Sequence, residues 1–372
     1  MGADSIGAAA NTVDRLLGEL WKRLSGGRIF VVLHWDADGI ASAALLLRAL
    51  RARVAGVYPP SIGVYSLEAL PWRRISTSGA DVVAVLDYGL PGGEYENLSE
   101  IASPRLVAVL DHHLAEPPRG RSNLVYVNPV ALGLGGEEDW PSTTFIAYRI
   151  PRVREACRRR GCSWIAAIGI VGDLGPALEH RPRAHSVALK LAEESGYSLR
   201  DVARAVELLD SCYRLLDEDC VVHAVKLLGW ATRPGDVLED RRLQRAAEEA
   251  AKALKTAVER VRFLFQRPGI MVYYVESNAH VASYVGRKLA ARHKKSVVIL
   301  LHWAPDRGRG FVYARSMEHR LAPVLQELRR RGIPAGGKDY VLAFPVDRRD
   351  ENILSELAAL IERLVFGRIA TD

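Results

Sequence analysis

A chain of 372 residues exceeds what one hydrophobic core organises, and its 49% apolar content is ample for two, so a multi-domain globular protein is expected. Its 51 basic and 44 acidic residues leave a formal charge of +7, which permits a nucleic-acid partner without demanding one. No apolar run reaches transmembrane length without a charge or turn signal, which excludes a membrane-spanning role.

The opening MGADSIGAAANTVDRLLGEL lacks the basic region and the long apolar core of a secretory signal, so a cytoplasmic location is expected. Residues 10–25 place Val13, Leu16, Leu17, Leu20 and Leu24 on one helical face and stop at Gly26-Gly27. GRIFVVLH then reads as a buried strand, DADG as a tight turn and IASAALLLRALRAR as a strongly apolar helix, followed by a strand at VAGVYPP. DVVAVLDYG and RLVAVLDHH repeat the pattern of a strand ending in acid, joined by a Gly/Pro-containing connection with room for a short helix. Near-continuous apolar strands alternating with helices predict a parallel sheet covered on both faces.

From about Pro141 to Arg260 the pattern is helix after helix, charged and alanine-rich. The four cysteines, Cys157, Cys162, Cys212 and Cys220, contain no CxxC pair and read as reduced thiols, with an internal disulfide of thermophile type as the alternative. After Arg267-Pro268-Gly269 strands and helices alternate again: IMVYYVES, HVASYVGRKLAARH, KSVVILLHW, GFVYARS, EHRLAPVLQELRRRG and YVLAFPV. The expected fold class is α/β, with a parallel-sheet domain at 1–264 extended by a helical connector over about 185–264, and a smaller α/β domain at 265–372.

Chemistry concentrates where strands end. His34, Asp36 and Asp38 alternate across the end of the first strand, Asp87 ends a second, and Asp111, His112 and His113 end a third. Asp173 closes the apolar run IAAIGIVGD. Open α/β sheets bind ligands at this edge. Each acid alone reads equally well as a helix cap or a turn former. Together they form a set of hard oxygen donors with admitted imidazoles, as a pair of divalent cations requires. His180, His185 and His302 fall outside that pattern and read as surface, capping or strand-closing residues. Tyr273, Tyr274, Trp303, Phe311 and Tyr313 sit at strand spacing and read as core before they read as base-stacking platforms. Arg329, Arg330 and Arg331 read as a solvated helix end.

In LHWDADGIAS, VLDYG, VLDHH and VGD the chain resembles the DHH phosphoesterase superfamily, and the order of these motifs resembles its RecJ-like branch. VNP at Val127–Pro129 and the following PSTTFIAYRI are similar to archaeal members. The resemblance implies two manganese ions, with magnesium as the alternative. His34 and Asp36 would hold one ion, Asp87 would bridge both, and Asp38, His112 and Asp173 would hold the second. It also implies that Asp111 orients a ligand and that His113 faces the scissile phosphate as electrophile or proton donor. The second domain is similar to the DHH-associated domain. Arg315 and Ser316 match its substrate-gripping pair, whereas Gly336-Gly337-Lys338-Asp339 departs from its glycine-histidine turn and leaves Lys338 to supply the positive charge.

The function this implies is two-metal hydrolysis of single-stranded DNA or RNA from an end, in which ions activate water and no protein nucleophile is needed. A phosphoesterase of short oligonucleotides, cyclic dinucleotides or 3′-phosphonucleotides is the alternative enzyme. A non-catalytic scaffold working with replication or repair proteins is the alternative without chemistry.

Overall fold

The computed structural model describes residues 3–66 and 70–367, which divide into two compact units. In the first, five strands, β1 (Ile29–Leu33), β2 (Val54–Tyr58), β3 (Val82–Leu86), β4 (Leu106–Leu110) and β5 (Leu124–Val127), pair in the order β2-β1-β3-β4-β5. Every pairing is parallel, as the continuous apolar strands require. The α/β class and the parallel sheet are therefore as expected. β5 is a strand that sequence reading did not assign, because Leu124–Val127 spans only one short apolar segment beside VNP.

The helix Ala37–Leu50 is buried along nearly its whole length, since it packs on β1 and also against the helices Thr143–Arg149, Trp164–Leu174 and Glu218–Trp230. The opening helix runs over Ala3–Ser25, longer than its apolar spacing indicated, and buries Val13, Leu17, Leu20 and Leu24. Among the described residues no helix is long and apolar enough to cross a membrane.

The second unit holds a six-stranded sheet of order β10-β11-β9-β8-β7-β6, from β6 (Arg262–Arg267), β7 (Ile270–Glu276), β8 (Val297–Ala304), β9 (Arg309–Ser316), β10 (Gly336–Lys338) and β11 (Val341–Val346). Only β7 and β8 are parallel; the other pairs are antiparallel. The helix Asn352–Val365, which the sequence reading left unassigned, buries Leu354, Leu357, Ala358 and Ile361 on one face of this sheet, and the helix Ala282–Arg292 covers part of the other.

Three features differ from the sequence-based expectation. Arg262–Arg267 is a strand and not the tail of a helix, and Pro268-Gly269, with Gly269 at φ 81°, is the hairpin turn joining it to β7. The two units meet in sequence at Ala247/Glu248, N-terminal to the boundary expected after residue 264, because Leu254 and Ala257 of the same long helix pack against β7 and β8. A cut at 264 would divide β6. Gly336–Lys338 is an edge strand hydrogen-bonded to β11.

The cysteines correct the reduced-thiol reading. Cys157 pairs with Cys162 and Cys212 with Cys220, at Cα separations of 5.0 and 5.2 Å. Each pair is joined through a helix end: the turn after Arg158 returns Cys162 to Cys157, and the turn after Arg214 brings the next helix back against Cys212. The chain unfolded without reductant is expected to show no reactive thiol to a chromogenic reagent, and four after reduction. Four reactive thiols before reduction would contradict the pairing.

Candidate metal centre

Leu33, Leu86 and Leu110 lie in register across β1, β3 and β4, so His34, Asp87 and Asp111 leave the sheet side by side at its C-terminal edge. This is the crevice where the strand order reverses. His34 is held by its N–H bond to the Leu86 carbonyl at 3.0 Å and Asp87 by its N–H bond to the Leu110 carbonyl at 2.9 Å. Asp87 adopts the left-handed backbone, φ 60°, which turns its carboxylate back over the strand ends.

The chain leaves β1 through Asp36 into the helix Ala37–Leu50, whose start is fixed by long-range contacts. Ala37 N–H donates to Asp210 Oδ1 at 3.0 Å and Gly39 N–H to Asp36 Oδ1 at 3.1 Å. A Cβ on Gly39 would lie 2.2 Å from the His34 carbonyl oxygen, so glycine is what lets the DADG turn close. Asp38 is buried and accepts from the N–H groups of Thr143 and Thr144 at 2.7 and 2.8 Å and from the Thr144 hydroxyl. Thr143 Oγ1 donates to Asp87 Oδ1 at 2.8 Å. Asp173 sits at the C-terminal end of the helix Trp164–Leu174, where the helix dipole adds negative potential to its own charge. That helix approaches closely at Gly169, where a Cβ would fall 2.0 Å from Asp38 Oδ1.

The side chains converge. His34 Nδ1 is 2.9 Å from Asp36 Oδ2 and 4.0 Å from Asp87 Oδ2. His112 Nε2 is 2.8 Å from Asp173 Oδ2, 3.6 Å from Asp87 Oδ1 and 3.9 Å from Asp38 Oδ2. Two triads result, His34/Asp36/Asp87 and Asp38/His112/Asp173, each with donor atoms within 4.8 Å of one another, and Asp87 also groups with His112 and His113. Asp87 Oδ2 is buried and accepts no hydrogen bond among the described residues, an arrangement that a cation would stabilise. Carboxylates with admitted imidazoles fit a manganese-like divalent ion.

Asp111 stays outside both triads. It accepts from the N–H groups of Gly89, His112 and His113 at 2.8, 2.7 and 3.1 Å and lies 2.8 Å from His113 Nδ1. The imidazole it orients is thus that of His113. Asn128 of VNP fixes the same turn, its Nδ2 donating to the His113 carbonyl at 2.8 Å.

In the second unit, Arg315 on β9 is in register with Val341 on β11, which is in register with Lys338 on β10, so the two cations lie on one face of the sheet. Arg315 Nη1 donates to the Tyr313 hydroxyl at 3.2 Å. Ser316 is buried, its hydroxyl accepting from the N–H groups of Glu318 and His319 at 3.2 and 3.0 Å, a turn-forming role. Gly336 and Gly337 admit close packing: Cβ atoms there would lie 3.4 Å from the Tyr65 ring and 2.2 Å from the Val341 carbonyl oxygen. Tyr273, Tyr274, Phe311 and Tyr313 are buried, and His302 is fully buried with Nε2 on the Ser277 carbonyl. Arg330 and Arg331 pair with Glu327, whereas Arg329 is drawn inward to the Ala335 carbonyl.

Thr143, Thr144, Asp210 and Asn128 were not singled out for the site by sequence. Ser-Thr-Thr ahead of an apolar run is a helix-start signal, and Ser142 does cap that helix by accepting from Phe145 N–H at 3.0 Å. Nothing local to Asp210 identifies its partner 173 residues away.

Residues 28–170 match the family model described as DHH family, N-terminal domain. The chain also resembles solved structures over nearly its full length. One, a DHH domain described as a member of the s1p family of ribosomal proteins, is 16% identical with a TM-score of 0.67, covering 98% of this chain and 93% of its own. Exonuclease RecJ bound to manganese is 22% identical with a TM-score of 0.58, covering 94% and 93%. CDC45 from Entamoeba histolytica is 12% identical with a TM-score of 0.53, covering 96% and 98%. At these identities the likeness is one of fold. No curated protein matches the sequence.

The electrostatics of the site reflect crowding. Burial, then Asp38, Asp36 and Asp173, raise Asp87 well above the ordinary carboxylate range. Burial and Asp173 push Asp38 up to about 6. Burial opposes protonation of His34, but the charge and hydrogen bond of Asp36, joined by the charges of Asp173 and Asp111, together raise it. Burial also opposes ionisation of Asp36 and Asp111, yet His34 lowers the first and His113 the second.

A carboxyl raised in the folded state stabilises the fold while protonated, and that contribution disappears as pH climbs from the unfolded value through the folded one. For Asp38 the window runs from the ordinary carboxylate value of 3.8 to about 6. It is worth on the order of 3 kcal/mol. The lowered acids act only below that window, and raised His34 acts in the same direction as Asp38. In chelator, the melting temperature is expected to fall between about pH 4 and pH 7. Manganese should raise it more at the upper end. A flat profile in chelator would contradict the crowding.

Proposed function

We propose that the protein is a metal-dependent phosphodiesterase, a RecJ-like exonuclease acting on single-stranded DNA or RNA. The observation that carries this reading is the pair of donor triads meeting at Asp87 and His112. In it, His34, Asp36 and Asp87 would hold one ion and Asp38, His112 and Asp173 would hold a second, with Asp87 placed to serve both. Manganese suits this mixed donor set, with magnesium as the alternative. When bound, the ions supply Lewis acidity, lowering the pKa of a water near the phosphorus and offsetting charge on the phosphate oxygens. The likeness to RecJ bound to manganese, over 94% of this chain, supports the exonuclease reading.

The chain's own groups have separable tasks. Thr143 and Thr144 fix Asp87 and Asp38 in the orientation the triads need. His113, with its side chain 24% exposed and Nδ1 held by Asp111, reaches toward the scissile phosphate and donates a proton to the departing oxygen. Arg315 and Lys338 hold substrate phosphates, Gly336 and Gly337 present backbone N–H groups to a phosphate beside them, and Ser316 shapes the turn beyond Arg315.

End-labelled DNA and RNA strands incubated with manganese should be shortened from one end, faster than trimers are cut. Asp87→Ala should lower kcat by at least about a thousandfold, while Lys338→Ala mainly raises KM. Trimers cut as fast as long strands would favour a small-molecule phosphoesterase. A protein that hydrolyses no phosphodiester yet binds a replication or repair partner would favour the scaffold. Near-normal turnover by Asp87→Ala would remove the bridging role.

A further inference from the structure

A second concave site lies in the first unit, at the opposite end of the helix Ala37–Leu50 from Asp38. Arg48 is displaced from Asp38 by about 15 Å along the axis, at ~1.5 Å per residue. The helix runs back across the sheet, so this site belongs to the other sheet edge. Its cavity of about 490 Å³ is of small-ligand size.

The lining is predominantly positive. Arg48, Arg152, Arg159 and Arg160 surround it, with Glu155 as the only acid and Trp21 as an aromatic wall. Glu155 lies 3.3 Å from both Arg152 and Arg159, in exposed pairs worth about 0–1 kcal/mol. Such pairs yield to a multivalent anion. Arg160 makes no ion pair among the described residues.

Arg48 forms the floor. It is 7% exposed, and its Nη2 donates to the carbonyls of Leu228 and Ala231 at the end of the helix Glu218–Trp230. That leaves Nε buried without a hydrogen-bond partner among the described residues. Burial, then the charge of Arg160, lowers the Arg48 guanidinium to about 10, the direction an anion would reverse. At the rim, Cys157 and Cys162 close the turn that carries Arg159 and Arg160, so the backbone beneath these exposed cations is fixed before any ligand arrives.

We propose that this cavity binds a nucleoside diphosphate, with its two phosphates among Arg48, Arg159 and Arg160 and its base against Trp21. Guanidinium forks match phosphate oxygens in pairs, and an indole face accepts a nucleobase by stacking. A diphosphate places two charged groups side by side, as several converging cations require. A single phosphate or sulfate engages fewer of them.

Titration calorimetry of the full chain with ADP, with and without manganese, tests the site, because ADP held only by metal ions would depend on manganese. One ADP per chain should bind in both conditions, pyrophosphate more weakly, and sulfate at least about tenfold more weakly than ADP. Arg159→Ala combined with Arg160→Ala alters only exposed side chains. It should weaken ADP by about tenfold or more while leaving melting temperature and manganese-dependent phosphodiester hydrolysis in place. Trp21→Phe should reduce the fluorescence change on ADP binding and weaken ADP more than pyrophosphate. Unchanged ADP affinity in the double variant, or sulfate binding as tightly as ADP, would overturn the proposal. So would a double variant that keeps ADP but loses affinity for oligothymidylate, which would make the patch a nucleic-acid contact.

Discussion

Repulsion between buried carboxylates is the constraint around which the first unit is built. Two like charges ~4 Å apart cost roughly 4 kcal/mol at an effective dielectric near 20, and the interior adds a desolvation cost. Asp36 and Asp38 from one turn converge with Asp87 and Asp173 from two distant segments, and burial together with this crowding disfavours ionisation of Asp38 and Asp87. An arrangement of that kind persists only where the surrounding structure over-determines it. Here the parallel register sets His34, Asp87 and Asp111 at one edge, and the left-handed turn at Asp87 aims its carboxylate inward.

Neutral donors do much of the holding. Asp38 is satisfied by two backbone N–H groups and a hydroxyl from the start of the helix Thr143–Arg149, and Asp87 by the Thr143 hydroxyl. These bonds orient the carboxylates without neutralising them, so the negative potential that attracts a cation survives. Asp111 differs: with three backbone N–H groups and His113 around it, its charge is spent on the turn it supports. That division explains how adjacent residues of one Asp-His-His motif come to face different tasks.

The second unit follows a different logic. Its antiparallel pairs align chosen side chains across strands, as in the Arg315–Val341–Lys338 row, and place glycines where an edge strand approaches its neighbour. Its cations stand on a sheet face, whereas the arginines of the first unit's cavity come from helices and a disulfide-closed turn. In both, positive charge is presented on a scaffold already fixed by packing.

The sequence by itself determined the β-then-acid segments, since buried parallel strands are continuous apolar runs and their ends are marked by charge; this made β1, β3 and β4, the site acids and the α/β class legible. Short or edge strands such as β5, β6 and β10 were not, because four apolar residues, a run flanked by arginines or a Gly-Gly pair fit several local structures equally well. Tertiary structure alone decided which residues met: Thr143 with Asp87, Asp210 with the Ala37 N–H, Arg48 with the Arg160 turn, and each cysteine with its partner. Local patterning follows from the period of a strand or helix, which a few residues reveal. Partnership across a hundred residues depends on register and packing of whole elements, which no local segment encodes.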